Sequence, residues 1–199
     1  CRIVDVGGCC WEGCVRFGKF IGNYVRNAGT VAAGNLGASK LLSDPSYPDL
    51  GSGQHIIADN VFESLVPYGG AAIRSNRGAT QVIIRNNLFI NFNSSAVEVV
   101  NNPSTNESTS SNAVITGNIF DMTCIGQKPV PRSAIAVGCN EVLVSDNQIY
   151  VRGNADPLVT GIRLIEPALN VIVNNNLIRN CGVGIIAERG VLTVGGVID

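Results

Sequence analysis

Two glutamates, Glu98 and Glu166, together with Arg74, Arg163 and Glu188, are the side chains of this 199-residue chain whose types and spacing could support chemistry. Cleavage of a glycosidic bond needs two carboxyl groups, about 5 Å apart for retention or roughly 6.5–9.5 Å for inversion. Elimination needs a base and a cation beside the substrate carboxylate, a part open to Arg163 or Arg74. A phosphodiester-containing polymer also calls for arginine. Plainer roles compete with these. Arg74 and Glu98 suit an exposed ion pair, worth little energetically, and Glu166 suits a solvated turn before Pro167.

Which of these residues meet depends on the elements that carry them, and those elements repeat. Five segments align without gaps: His55–Phe62, Val82–Phe89, Ala113–Phe120, Val142–Ile149 and Val171–Ile178, with a divergent sixth over Phe20–Val25. Each reads as a short strand, a corner at Asn, and a second short strand. Asn tolerates the left-handed backbone conformation, and its amide can bond to stacked neighbours. Asn23, Asn60, Asn87, Asn118, Asn147 and Asn176 are therefore expected to form one column, each in the left-handed corner position.

A third strand follows each copy, at 30–33, 72–75, 96–99, 134–137, 161–164 and 184–187. Alternation places Val31, Ile73, Val97, Ile135, Ile162 and Ile185 inward, and Ala32, Arg74, Glu98, Ala136, Arg163 and Ile186 outward. Three parallel strands per repeat close one coil. The expected fold is all-β, a single-stranded right-handed parallel β-helix of about six coils with an Asn ladder at one corner; its hand follows the general preference for right-handed crossovers. Residues 1–19 read as an irregular incoming coil and 20–199 as the β-helix, and the chain reads as a piece of something longer. A leucine-rich repeat would need a Leu framework, and a β-sandwich would not repeat the corner Asn in register.

Loop lengths single out one face. Residues 36–54 and 101–112 leave the third strand, while 126–133 and 153–160 lead into it, and insertions on one face of a repeat protein build its binding surface. On that face Glu98 and Glu166 lie two coils apart, on the order of 10 Å, slightly long for a glycosidase pair. Asp121 and Asp146, close to the Asn corners, suit backbone capping. His55 aligns with Val82, Val142 and Val171 and is expected inside.

A net charge of −1 and a pI near 5.8 leave no basic field for nucleic acid or acidic membranes. No apolar run is long enough to span a bilayer. Seven cysteines at irregular spacing argue against a disulfide framework. Cys9, Cys10 and Cys14 form their one cluster, and His55 is badly placed in sequence as a fourth ligand, so neither metal nor cofactor is expected. Buried thiols acting as small apolar residues fit better. Two matches to the N-glycosylation pattern, at Asn93 and Asn106, are what chance gives in an Asn/Ser-rich chain.

The Val/Ile-x-Val/Ile-x-x-Asn-apolar-Ile/Phe repeat resembles the pectin-lyase-like superfamily of β-helices over roughly Phe20–Asp199, and in style its bacteriophage tailspike and neck-appendage members. The resemblance implies a polysaccharide-degrading hydrolase or lyase that binds a cell-surface or cell-wall polymer, as a homotrimer, in an extracellular or virion-surface setting. Glu98 and Glu166 would then be catalytic, and Arg74, Arg163 and Glu188 would bind substrate. No aspartate pair matches the polygalacturonase spacing, and no Asp cluster matches the calcium site of pectate lyases. The alternative is a non-catalytic glycan-binding adhesin or structural shaft. Ice binding would need flat outward arrays of Thr, which the outward column lacks.

Overall fold

The computed structural model describes residues 1–6, 11–13, 18–27, 39–41, 54–64, 70–75, 81–100, 111–123, 130–166 and 168–188. All their regular structure is β, in twenty strands numbered β1–β20. Sheet A holds β1 (Arg2–Val4), β4 (Tyr24–Arg26), β7 (Val61–Glu63), β10 (Leu88–Ile90), β13 (Ile119–Asp121), β16 (Gln148–Tyr150) and β19 (Leu177–Arg179). Sheet B holds β2 (Trp11–Gly13), β5 (Ser39–Leu41), β8 (Ile73–Ser75), β11 (Val97–Val100), β14 (Arg132–Gly138), β17 (Asp156–Leu164) and β20 (Cys181–Ala187). Sheet C holds β3 (Lys19–Ile21), β6 (Ile56–Ala58), β9 (Ile83–Arg85), β12 (Ser111–Thr116), β15 (Asn140–Ser145) and β18 (Ile172–Asn174). Each sheet counts upward in steps of three, so every coil lays one strand in each sheet and pairs in parallel with the coils on either side. This is a parallel β-helix.

Period-two alternation fills the interior from all three sheets. Sheet C contributes Ile57, Ile84, Ile115, Val144 and Val173 in one register column. Sheet B contributes Ile73, Val97, Ile135 and Ile162, all buried, and Ile185, half-buried in the last described coil. In sheet A the inward column is Val25, Phe62, Phe89, Phe120 and Ile149. The rings of Phe62, Phe89 and Phe120 stack with centroids 5.2 and 4.6 Å apart, and Phe20 from sheet C extends the stack at 6.2 Å from Phe62.

The Asn column forms as expected, between sheets C and A. The Oδ1 of Asn118 accepts from the backbone N–H and the amide of Asn87 at 2.9 and 3.0 Å, and Asn118 in turn donates from both groups to Oδ1 of Asn147 at 3.1 and 3.0 Å. The same pattern links Asn23 to Asn60, Asn60 to Asn87 and Asn147 to Asn176. Each interior amide also donates to a strand carbonyl, as Asn118 does to Ile84 at 3.0 Å.

The left-handed position is not on these asparagines, which corrects the expectation. It falls one residue earlier, at Gly22, Asp59, Asn86, Gly117, Asp146 and Asn175, with φ between 52° and 69°. These are the residue types that bear positive φ at least cost. The corner divides two tasks: one residue turns the chain, and the next directs its amide into the ladder. A second left-handed column, Gln54, Gln81, Asn112, Glu141 and Asn170, lies just before or at the second residue of the strands of sheet C.

Other boundaries shift as well. Residues 1–19, expected as irregular, already carry β1 and β2, which pair in register with β4 and β5. The expected third strand at 30–33, with Val31 and Ala32, lies outside the described residues; the strand paired to β8 is Ser39–Leu41. Arg132 and Ser133, and residues 156–160, read as loop but belong to β14 and β17. Proline and charge there mimic a loop, while ladder pairing to the adjacent coil extends the strand. Ala136 holds its outward register yet is buried, because a methyl between the long Glu98 and Arg163 is overhung by them.

His55 lies fully inside, as its alignment with Val82 requires, and burial pushes its imidazole below the ordinary histidine value. A base with a lowered folded pKa is neutral in the native state, while the unfolded chain takes up a proton as pH falls through about 6.5. Stability is therefore expected to drop between pH 7.5 and 5.5. In His55→Val, which restores the residue found in three other coils, this part of the slope should vanish in urea melts at the two pH values. An unchanged slope would show that His55 titrates alike in both states.

Candidate functional site

Sheet B carries its charged column on the outward side of its strands. Backbone register aligns Arg74, Glu98, Ala136, Arg163 and Ile186 on successive coils. The Nε of Arg74 donates to Oε2 of Glu98 at 2.6 Å, and the two side chains are only 14% and 19% exposed. Two coils further on, Nε of Arg163 donates to Oε1 of Glu188 at 2.7 Å in a more open pair, with side chains 47% and 35% exposed. The ion pair between neighbouring coils expected of Arg74 and Glu98 is thus present, part-buried where an exposed one was expected.

The extended β14 and β17 add a wall. Arg132, whose side chain is fully buried, donates to Oδ2 of Asp156 at 2.7 Å and to the carbonyls of Met122 and Val130, both at 3.1 Å. Burial pushes the Asp156 carboxyl up. The Leu158 N–H at 2.9 Å and the Arg132 guanidinium outweigh it and hold the group below the usual aspartate value. Beside this pair Ser95 and Ser133 share a hydrogen bond of 2.9 Å between hydroxyls, and Ser133 is in register with Thr160.

These features enclose an open cleft of about 480 Å³, lined by Glu98, Arg163 and Glu188 and by the hydroxyls of Ser95, Ser133 and Thr160, with Arg132 at its side. Three of the five residues expected to act are brought together there. Arg74 stands one coil away, holding Glu98. Glu166 is exposed on the bend after β17 and lines no part of the cleft. Spacing by coils therefore did not convert into a shared site, because Glu166 follows the strand end and leaves the sheet-B floor. The serine and threonine hydroxyls and Arg132 were missed. Their signal was the equivalence of Ser133 and Thr160, two residues before the third-strand Ile of successive coils.

Each carboxylate in the cleft already accepts from a guanidinium. The arrangement pairs positive and negative groups one to one and sets hydroxyls beside them, which suits recognition of a hydroxyl-rich ligand by many directional hydrogen bonds. Elsewhere, Asp121 caps Thr123, accepting from its N–H at 3.2 Å and its hydroxyl at 2.6 Å, and pairs with Arg152 at 2.5 Å. Burial pushes the Cys139 thiol up to about 12 and Cys181 to about 11, as expected of packing residues. Among the described residues no group of three or more His, Cys, Asp or Glu could hold a metal ion, and Cys9, Cys10, Cys14 and Cys124 lie outside them. Also among the described residues, no helix is long and apolar enough to cross a membrane.

No family model matches the chain, and no curated protein matches it. Among solved structures, the chain is similar to the Streptococcus pneumoniae surface protein and adhesin PfbA, with a TM-score of 0.59 at 13% identity. The likeness covers 94% of this chain and 57% of that one, so the chain spans little more than half the length of the adhesin. At that identity the comparison supports the fold alone; pectin-lyase-like or tailspike affinity, cleavage chemistry and a virion setting do not follow from it.

Proposed function

We propose that this chain is a surface-displayed or extracellular β-helix that binds a polysaccharide in the sheet-B cleft without cleaving it. The observation that carries the reading is the pairing of every cleft carboxylate with an arginine, beside a row of hydroxyls. Hydrolysis asks for one carboxyl that gives a proton and another offered to water or the sugar; here both lining glutamates are engaged, and Glu166 stands apart. The similarity of the fold to a surface adhesin agrees with a binding role. The coils supply a rigid floor, so the cleft is formed before ligand arrives and little ordering opposes binding.

Titration calorimetry against a panel of wall and capsule polysaccharides, with reducing-end and unsaturated-product assays on the same mixtures, tests this. Saturable binding with no new ends is expected. Combining Arg163→Gln with Thr160→Val should weaken it by about tenfold or more, the equivalent of roughly 1.4 kcal/mol. Accumulating products that disappear in Glu98→Gln would instead establish a depolymerase.

A further inference from the structure

Sheet A carries a second cleft, of about 340 Å³, at its C-terminal coils. Its charge balance differs from that of the sheet-B cleft. Asp121, Tyr150 and Arg179 stand in one outward register column on three successive coils. Arg152, on the bend after β16, reaches back to Asp121 at 2.5 Å, and its backbone N–H is fixed by the Thr123 hydroxyl oxygen at 2.8 Å. That same hydroxyl donates to the other oxygen of Asp121 at 2.6 Å, so both carboxylate oxygens are engaged before Arg179 is reached. The Asp121 carboxylate lies two coils from Arg179, with Tyr150 on the coil between.

Arg179 is exposed and, among the described residues, its guanidinium makes no hydrogen bond or ion pair. Two guanidinium groups thus face one carboxylate, an excess of one positive charge in a concave site. The Asn180 amide donates to the carbonyls of Val151 and Gly153, both at 3.0 Å, and holds the bend that forms the wall. Between the arginines the half-buried Tyr150, its hydroxyl hydrogen-bonded to Arg152, offers a ring suited to the face of a sugar. A planar guanidinium meets a carboxylate in a bidentate pair.

We infer that this sheet-A cleft is a separate binding site for a carboxylate-bearing sugar unit, with Arg179 taking the carboxylate, Tyr150 the ring and Arg152 a supporting charge. It is independent of the sheet-B reading, since the two clefts share no residue.

Two matched hexasaccharides test it: a hyaluronan hexasaccharide, carrying glucuronate carboxylates, and chitohexaose, uncharged. The full chain should bind the first, more weakly as salt rises, and the second at least about tenfold more weakly. Arg179→Gln should remove most of the difference between the two sugars while leaving the melting temperature unchanged, because the side chain is exposed and its guanidinium makes no hydrogen bond or ion pair among the described residues. Arg85→Gln, exposed on sheet C and lining neither cleft, should leave hyaluronan binding intact. Equal binding of both sugars, absence of hyaluronan binding, or full binding by Arg179→Gln would overturn the inference. So would an Arg179-dependent preference for a poly(glycerol phosphate) oligomer, which would make the anion a phosphate. Loss of hyaluronan binding in Arg163→Gln, with Arg179→Gln unaffected, would move the acidic-sugar site to sheet B.

Discussion

Asn118→Leu is expected to destabilise the protein by about 3–5 kcal/mol, although leucine keeps asparagine's heavy-atom count and its branch at Cγ. The amide is wholly buried and acts in both directions along the ladder. Its loss strands the Asn87 backbone N–H, which has Oδ1 of Asn118 as its acceptor, and leaves the carbonyl of Ile84 without the amide that donates to it. Each stranded buried group costs about 1–3 kcal/mol, and the bonds through the two amides are lost as well. For a chain of this size that is a fall in Tm of roughly 10 °C. Position matters as much as type. Asn176 is half-exposed in the last described coil, so Asn176→Leu should cost much less, since water can satisfy what the side chain abandons. Thermal and urea melts of the two variants decide the point. Equal losses would mean that the ladder stabilises by packing alone.

Phe89→Ala should cost a similar amount, about 3–5 kcal/mol, for a different reason. Phe89 is fully buried with Phe62 and Phe120 stacked on either side and the edge of Phe92 6.3 Å away, so truncation opens a void bounded by rings that cannot collapse without leaving their own coils. A solenoid couples only nearest neighbours. A gap at Phe89 therefore weakens the link between the coils of Phe62 and Phe120 as well as the coil that contains it. Urea unfolding of Phe89→Ala should show a lower midpoint and a broader transition than wild type, while Phe89→Leu, which fills most of the space, should recover more than half of the loss. A midpoint shift below about 1 kcal/mol for the alanine variant would show that the rings are not needed to couple these coils.

The coil and the ladder were legible because they depend on residue type at fixed register. A buried amide every coil and an aliphatic side chain at every second position of the third strand leave a pattern that survives loops of different length. The left-handed corner was assigned one residue late. Asn occupies both adjacent positions in the copies at Asn86–Asn87 and Asn175–Asn176, and only the neighbouring copies with Gly117 and Asp146 reveal which of the two turns the chain. The phenylalanine stack was hidden because an inward Phe reads like any inward aliphatic residue until the coils are superposed. The candidate site was legible in part. Glu98 and Arg163 follow from strand alternation, whereas Glu188 and Glu166 follow their strands, where a one-residue difference in register decides between lining the cleft and facing solvent. Arg132 could not be read at all, since a charged residue after Val130-Pro131 reads as solvated and its burial depends on Asp156 from the next coil.

Successive rungs of the ladder are separated by 37, 27, 31, 29 and 29 residues, yet every rung makes the same two bonds to the next. Evolution can thus lengthen or shorten what lies between rungs without the interior registering the change. Because each rung presents identical donors and acceptors above and below, a whole coil can be duplicated or deleted and the column will close over the junction. The heritable unit of this protein is the turn of the coil, and new surfaces can be acquired by insertion while the interior remains of one kind throughout.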